Sequence, residues 1–83
     1  MPYDYQSIAD AAKAALKEAF PESAIETEKG FEGRVHIKII SPALNGRSER
    51  AKQALVFEVL QDRLGADVQA VSLVVPYGMD ELP

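Results

Sequence analysis

Between Arg34 and Ile40 the sequence keeps a strict period of two, with Val35, Ile37 and Ile39 on one side and His36, Lys38 and Ile40 on the other. Successive side chains of a strand point to opposite faces, so this stretch predicts a β-strand with one face against a core. Such a strand needs neighbours, and the flanking sequence supplies them. Ser23 to Lys29 alternates more weakly, Ile25 and Thr27 against Glu26 and Glu28, which predicts an edge strand with one acidic face. Gly30-Phe31-Glu32-Gly33 between the two is a turn, so the pair reads as an antiparallel hairpin. Val68 to Val75 is apolar at nearly every position and predicts a third strand, central and covered on both faces. Pro76-Tyr77-Gly78 is expected to end it, leaving a short acidic tail to Pro83.

The remaining segments repeat with helical spacing. From Tyr5 to Phe20, the residues Ile8, Ala12, Ala15, Leu16, Ala19 and Phe20 form one apolar stripe. Asp4 or Ser7 can cap its start, and Pro21 ends it by biasing Phe20 out of the helical region. Ser48 is a good N-cap for a second helix running to Leu64, with Glu49 favourably placed at the positive helix end and Gly65 as the stop. Ala51, Ala54, Leu55, Val59, Leu60 and Leu64 are its expected inward residues. Ser41 to Gly46, punctuated by Pro42 and Asn45-Gly46, is a loop. The order helix, strand, strand, helix, strand over residues 1–83 predicts a single α+β domain, α-β-β-α-β. Its economical packing is a three-stranded mixed sheet with both helices on one face.

Composition narrows the function. Thirteen acidic against nine basic residues leave a net charge of −4, which argues against a generic nucleic-acid coat. With no cysteine, the chain cannot itself supply a disulfide framework, a thiolate zinc site, sulfur ligands to iron or a cysteine nucleophile. No apolar run approaches the length of a membrane span, and Met1-Pro2-Tyr3-Asp4 lacks the features of a secretory signal, so a cytoplasmic, soluble domain is expected.

Reactive constellations are sparse. His36 is the only histidine; one imidazole does not make a metal site alone, and oxygens of Glu26, Glu28 or Glu32 added to it would give a weak, exposed one. Glu26 and Glu28 lie on an edge-strand face, where carboxylates are ordinarily solvated, and the serines lack a base other than His36. The chain is therefore expected not to be an enzyme. Gly30-Phe31-Glu32-Gly33 spells the GXXG of RNA-binding KH modules, but it sits in a hairpin and carries an acid, so it is a chance match. Arg47, Arg50 and Lys52 cluster at the start of the second helix, where cations oppose the macrodipole, and Lys38 and Arg34 can extend the cluster. Pairing with Glu49 and docking of an acidic partner, phosphate or nucleic acid explain the cluster equally well.

Several stretches together resemble the BolA family. They are His36-Ile37-Lys38-Ile39-Ile40-Ser41, Leu44-Asn45-Gly46-Arg47-Ser48, Lys52-Gln53-Ala54-Leu55-Val56-Phe57 with Leu60, and Val68-Gln69-Ala70-Val71-Ser72-Leu73. The resemblance covers nearly the whole chain, with Gly46, Ser48, Lys52, Val56, Phe57 and Leu60 at the family's spacings without a gap. Lys52-Gln53-Ala54 is more similar to the IbaG-like branch. The resemblance implies a fold related to class II KH domains but without their GXXG loop.

It also implies a non-enzymatic adaptor that binds a monothiol glutaredoxin and takes part in assembling, transferring or sensing iron–sulfur clusters. The alternative it implies is a DNA-binding transcriptional regulator, which would use Lys38, Arg47, Arg50 and Lys52 on phosphates. In the family's cluster-bound heterodimer a [2Fe–2S] cluster is shared. The glutaredoxin supplies sulfur, and the BolA side supplies a histidine that opens the third strand plus a His or Cys near the hairpin loop. Here Gln69 stands at the first of those positions and offers an amide oxygen, not an imidazole lone pair, while His36 lies near the second. Tyr77-Gly78-Met79-Asp80-Glu81-Leu82 replaces the family's terminal helix. Alone, the chain is expected to be a monomer or weak homodimer with no membrane partner.

Overall fold

The structure, a computed structural model, describes residues 3–82; Met1 and Pro2 of the Met1-Pro2-Tyr3-Asp4 stretch and Pro83 of the acidic tail lie outside the described residues. The apolar stripe near the start folds as helix α1, Tyr5–Ala19. Asp4, not Ser7, is its cap, and the Asp4 side chain accepts from the Ser7 backbone N–H at 3.3 Å. Phe20 leaves helical geometry directly before Pro21, as that proline requires. Ile8, Ala9, Ala12, Ala15 and Leu16 are buried, whereas Ala19, at the last turn, is exposed.

Strand β1, Ala24–Lys29, pairs antiparallel with β2, Val35–Ser41. The turn between them is a single tight turn over Phe31–Gly33, with Glu32 at φ 58° and Gly33 at φ 79°. At Gly33 the left-handed backbone is combined with close approach, since a Cβ there would collide with the Tyr3 carbonyl. A second short turn, Pro42–Leu44, leads to helix α2, Glu49–Leu64, capped by the Ser48 side chain, which accepts from the Ala51 N–H at 3.1 Å. Strand β3, Val71–Gly78, returns parallel to β2 and completes a sheet in the order β1-β2-β3.

Four sequence expectations change here. The apolar third strand lies at an edge, and β2 is the central strand. β3 runs through Pro76 and Tyr77 to Gly78, because at an edge a proline can turn its missing N–H away from the ladder. Residues 68–70, expected in the strand, belong instead to a 3₁₀ stretch, Gly65–Ala70, that opens at the positive-φ Gly65, and the Val71 N–H closes it on the Val68 carbonyl. Val68 is apolar because it packs on the core from this turn, not because it pairs in the sheet. In α2 the buried row is Lys52, Val56 and Leu60, one residue every helical turn, and Ala54 is exposed. A lysine reaches the buried row because its charge finds carboxylates there (below).

Val35, Ile37 and Ile39 of β2 are all at most 1% exposed and meet Ile8, Ala12 and Leu16 of α1, Val56 and Leu60 of α2, and Val74 of β3 in one core. The result is the expected α+β architecture, a three-stranded mixed sheet with both helices on one face. No helix or strand among the described residues covers the opposite face of the sheet, where Glu26, Glu28, Lys38 and Leu73 are exposed. Among the described residues no helix is long and apolar enough to cross a membrane.

Candidate functional site

The uncovered sheet face is ordered by strand register. Glu28, His36 and Leu73 form one cross-strand row, Glu26, Lys38 and Val75 the next, and Ala24, Ile40 and Tyr77 the third. Acids therefore line the β1 side, cations and the imidazole the centre, and apolar side chains the β3 side. Leu73 is 49% exposed, and a shallow groove of about 530 Å³ passes between Glu28, His36, Lys38, Leu73 and Val75. The Lys38 ammonium lies 5.7 Å from the centroid of the Tyr77 ring, a cation–π contact that holds its charge over the apolar side. A third strand covered on both faces and ended by Pro76-Tyr77-Gly78 leaves no apolar surface here, so the sequence expectation does not include Leu73, Val75 and Tyr77 in a site.

His36 is half-buried at the middle of the face. Its ring lies against Gly30, where an added Cβ would stand 2.6 Å from Nε2. Glycine at position 30 thus makes room for the imidazole over the backbone. Just beyond, the tight turn projects Phe31, 80% exposed. The turn is pinned from behind by the Tyr3 N–H, which donates to the Glu32 carbonyl at 2.8 Å, and by Arg34, whose guanidinium lies 5.4 Å from the Tyr3 ring centroid. Because β2 and β3 run parallel, with Val35 opposite Val71, the start of β3 lies at this same end of the sheet. Gln69, exposed in the 3₁₀ stretch before β3, therefore belongs to the same end as the hairpin turn.

The donors do not make the ligand pair that the resemblance implies for a shared [2Fe–2S] cluster. This end of the sheet offers one imidazole, His36, and one carboxamide, Gln69, with no cysteine in the chain. Among the described residues no group of three His, Cys, Asp or Glu side chains converges on a common point. An amide oxygen is a hard, neutral donor and a poor substitute for imidazole on iron.

The cationic cluster read from the sequence is divided by the fold. Lys52 is 1% exposed, and its ammonium sits between Glu49 Oε1 at 2.7 Å and Glu81 Oε1 at 2.5 Å. The Glu49 carboxylate, then that of Glu81, raises the Lys52 pKa above its ordinary value. Lys52, and after it the Gly78 N–H donating at 2.8 Å, holds the Glu81 carboxyl below the usual carboxylate range. The acidic tail is therefore an ordered 3₁₀ turn, Met79–Glu81, folded back on α2. Asp80 secures it further: Oδ2 accepts from the Gly46 N–H at 2.9 Å, and its own N–H donates to Asn45 Oδ1 at 3.2 Å. Arg47 and Arg50 remain exposed, the Arg47 Nε donating to the Ala43 carbonyl at 2.9 Å, while Lys38 belongs to the sheet face. Of this latch only the Glu49–Lys52 spacing was legible in the sequence, as an i,i+3 pair.

No family model and no curated relative matches the chain. Solved structures do. BolA1 from Arabidopsis thaliana superposes with a TM-score of 0.71 at 18% identity, over 92% of this chain and 96% of that one. The BolA domain of SufE1 from Arabidopsis thaliana superposes with a TM-score of 0.63 at 22% identity, over 86% of this chain and 91% of that one. At these identities the likeness is one of fold: the chain has the fold of BolA proteins.

Proposed function

We propose that this chain, a protein of BolA fold, is a non-enzymatic BolA-like adaptor that docks on a monothiol glutaredoxin and serves iron–sulfur cluster assembly, transfer or iron sensing through that contact. Support comes from one observation above all: the sheet face opposite the helices is left uncovered and combines an exposed leucine, a half-buried imidazole and a charge gradient. A face of this kind suits a protein partner, because apolar area gives affinity while the flanking charges fix orientation. The IbaG-like branch of the family is the one proposed, on Lys52-Gln53-Ala54.

The cluster enters only as the partner's cargo. With His36 and Gln69 in place of two strong ligands, docking by surface is assigned to this chain and cluster retention to the partner's sulfurs. A DNA-binding role is not favoured, because Lys52 is already neutralised by two carboxylates and the net charge is −4.

The test is to mix the purified chain with a monothiol glutaredoxin, with and without its [2Fe–2S] cluster, and follow complex size and visible absorbance. A complex is expected with the apo form and is expected to survive His36→Ala. Any change in the cluster spectrum on mixing should vanish in that variant, His36 being the only imidazole. Absence of a complex with either form would remove the reading.

A further inference from the structure

The two edges of the sheet are treated differently, and the difference points to a second docking site. In β3 the side facing away from β2 carries the backbone groups of Ser72, Val74, Pro76 and Gly78. Pro76 has no N–H, the Val74 carbonyl accepts from Gln53 Nε2 at 2.8 Å, and the Gly78 N–H is taken by Glu81. That edge is closed to a further strand.

The edge at β1 is open. The Gly30 N–H donates to the Arg34 carbonyl at 2.7 Å, which sets the antiparallel phase: Glu28, Glu26 and Ala24 bond to β2, and Ile25, Thr27 and Lys29 turn their N–H and C=O groups outward. None of the described hydrogen bonds from turns, caps or side chains reaches those backbone groups. Only the residue before the strand is covered, the Ser23 carbonyl accepting from Lys17 Nζ at 2.6 Å. A groove of about 600 Å³ runs beside this edge, floored by Ala14, Ala24 and Ile25 and rimmed by Lys13 and Lys17, with Glu26 and Lys38 across the strand.

Charge selects the occupant. Lys13 and Lys17 lie one helical turn apart on α1, a like-charge spacing that costs helix stability, and Lys29 shares their side of the strand. Among the described residues none of these three lysines makes an ion pair, in a chain with an excess of four negative charges. Glu26 and Glu28 occupy the other side. A second copy of the chain cannot pair here: with Thr27 opposite Thr27, Glu26 would face Glu28 of the partner strand, and the two lysine sets would meet.

We propose that the free edge of β1 is the docking site for an extended, acidic segment of a partner protein, which adds as a fourth strand. Its carboxylates fall on alternate positions toward Lys13, Lys17 and Lys29, and its intervening uncharged residues lie beside Glu26 and Glu28. Main-chain hydrogen bonds to Ile25, Thr27 and Lys29 supply the register, and the lysines supply the selectivity. The site differs from the one in the glutaredoxin reading in its main-chain hydrogen bonds at the sheet edge and in Lys13, Lys17 and Lys29, and borders the uncovered face only at Glu26, Glu28 and Lys38.

The test is an NMR titration of the full chain with a short blocked peptide of alternating glutamate and threonine. The amides of Ile25, Thr27 and Lys29 should shift and become protected from hydrogen exchange. The same peptide N-methylated on alternate residues, and a peptide of alternating lysine and threonine, should do neither. The exposed double variant Lys13→Glu/Lys17→Glu, checked by circular dichroism for an intact fold, should bind about tenfold more weakly. If the lysines serve only to guard the edge against self-association, the three amides stay unprotected at millimolar peptide, and the proposal fails. It fails equally if the N-methylated peptide binds as well, since the contact would then be charge without strand addition.

Discussion

Replacing Ile37 by alanine, side by side with Leu73→Ala, measures the assignment of one packed and one uncovered face to the sheet. Ile37 is 1% exposed, pairs with Thr27 on one side and Val74 on the other, and points into the core. Truncation removes buried methyl and methylene groups and leaves a hole between two helices, a loss of about 3–4 kcal/mol. An 83-residue domain has about 4–12 kcal/mol of total stability, so the variant folds but sits near the edge. Its melting temperature should drop by roughly 15–25 °C. Leu73 is 49% exposed on the uncovered face, so only half of its transfer energy is at stake and the expected cost is about 1 kcal/mol. Urea unfolding followed by circular dichroism reads both, with unchanged m-values as the check that only stability moved. If the third strand were covered on both faces, as its apolar run suggests, Leu73 would be buried and the two losses would match. Equal losses, or an Ile37→Ala loss below about 1 kcal/mol, would refute the assignment.

The latch predicts a pH window. The folded pKa of Glu81 is depressed, so its contribution is present above the unfolded value near 4.5 and is lost as the pH falls through the folded value; Glu81→Gln should flatten the acid limb of the stability curve below pH 4.5. Lys52 has the opposite sign: with its pKa raised, the contribution holds below 10.5 and fades only at higher pH, which an alkaline titration by circular dichroism checks. Gly33→Ala should destabilise by more than Gly46→Ala in thermal melts. Both require positive φ, at about 1–2 kcal/mol, but only at Gly33 does the new methyl strike the Tyr3 carbonyl and so disturb the hydrogen bond that the Tyr3 N–H donates to the Glu32 carbonyl. Gly30→Ala should keep the fold while pushing the His36 ring aside, seen as altered imidazole resonances and unchanged core methyl signals.

Local patterns told much of this fold. The period of two in Val35, Ile37 and Ile39 set both the strand and the face that packs, because alternation in a strand leaves no choice about which residues share a side. Pro21, Ser48 and Gly65 marked helix ends through backbone chemistry that acts within a few residues. The edge position of β1 likewise followed from its acids. For the site, His36 was singled out and is found on the uncovered face, and Gln69 is found at the same sheet end as the hairpin.

Other features depended on groups distant in the chain. An apolar run such as Val71 to Val75 is equally compatible with a central strand and with an edge strand that has a greasy outer side; only the order β1-β2-β3 decides. Lys52 looked like a docking cation because its environment includes Glu81, twenty-nine residues away, and no local pattern announces that pairing. Sequence by itself determined the type and order of the elements, the helix ends and the side that α1 and β2 bury, since those obey spacing and dihedral limits within one segment. Tertiary structure decided which strand lies in the middle, which charges are consumed inside the molecule and which edge stays open. Those outcomes depend on long-range contacts, whose geometry exists only once the chain has closed on itself.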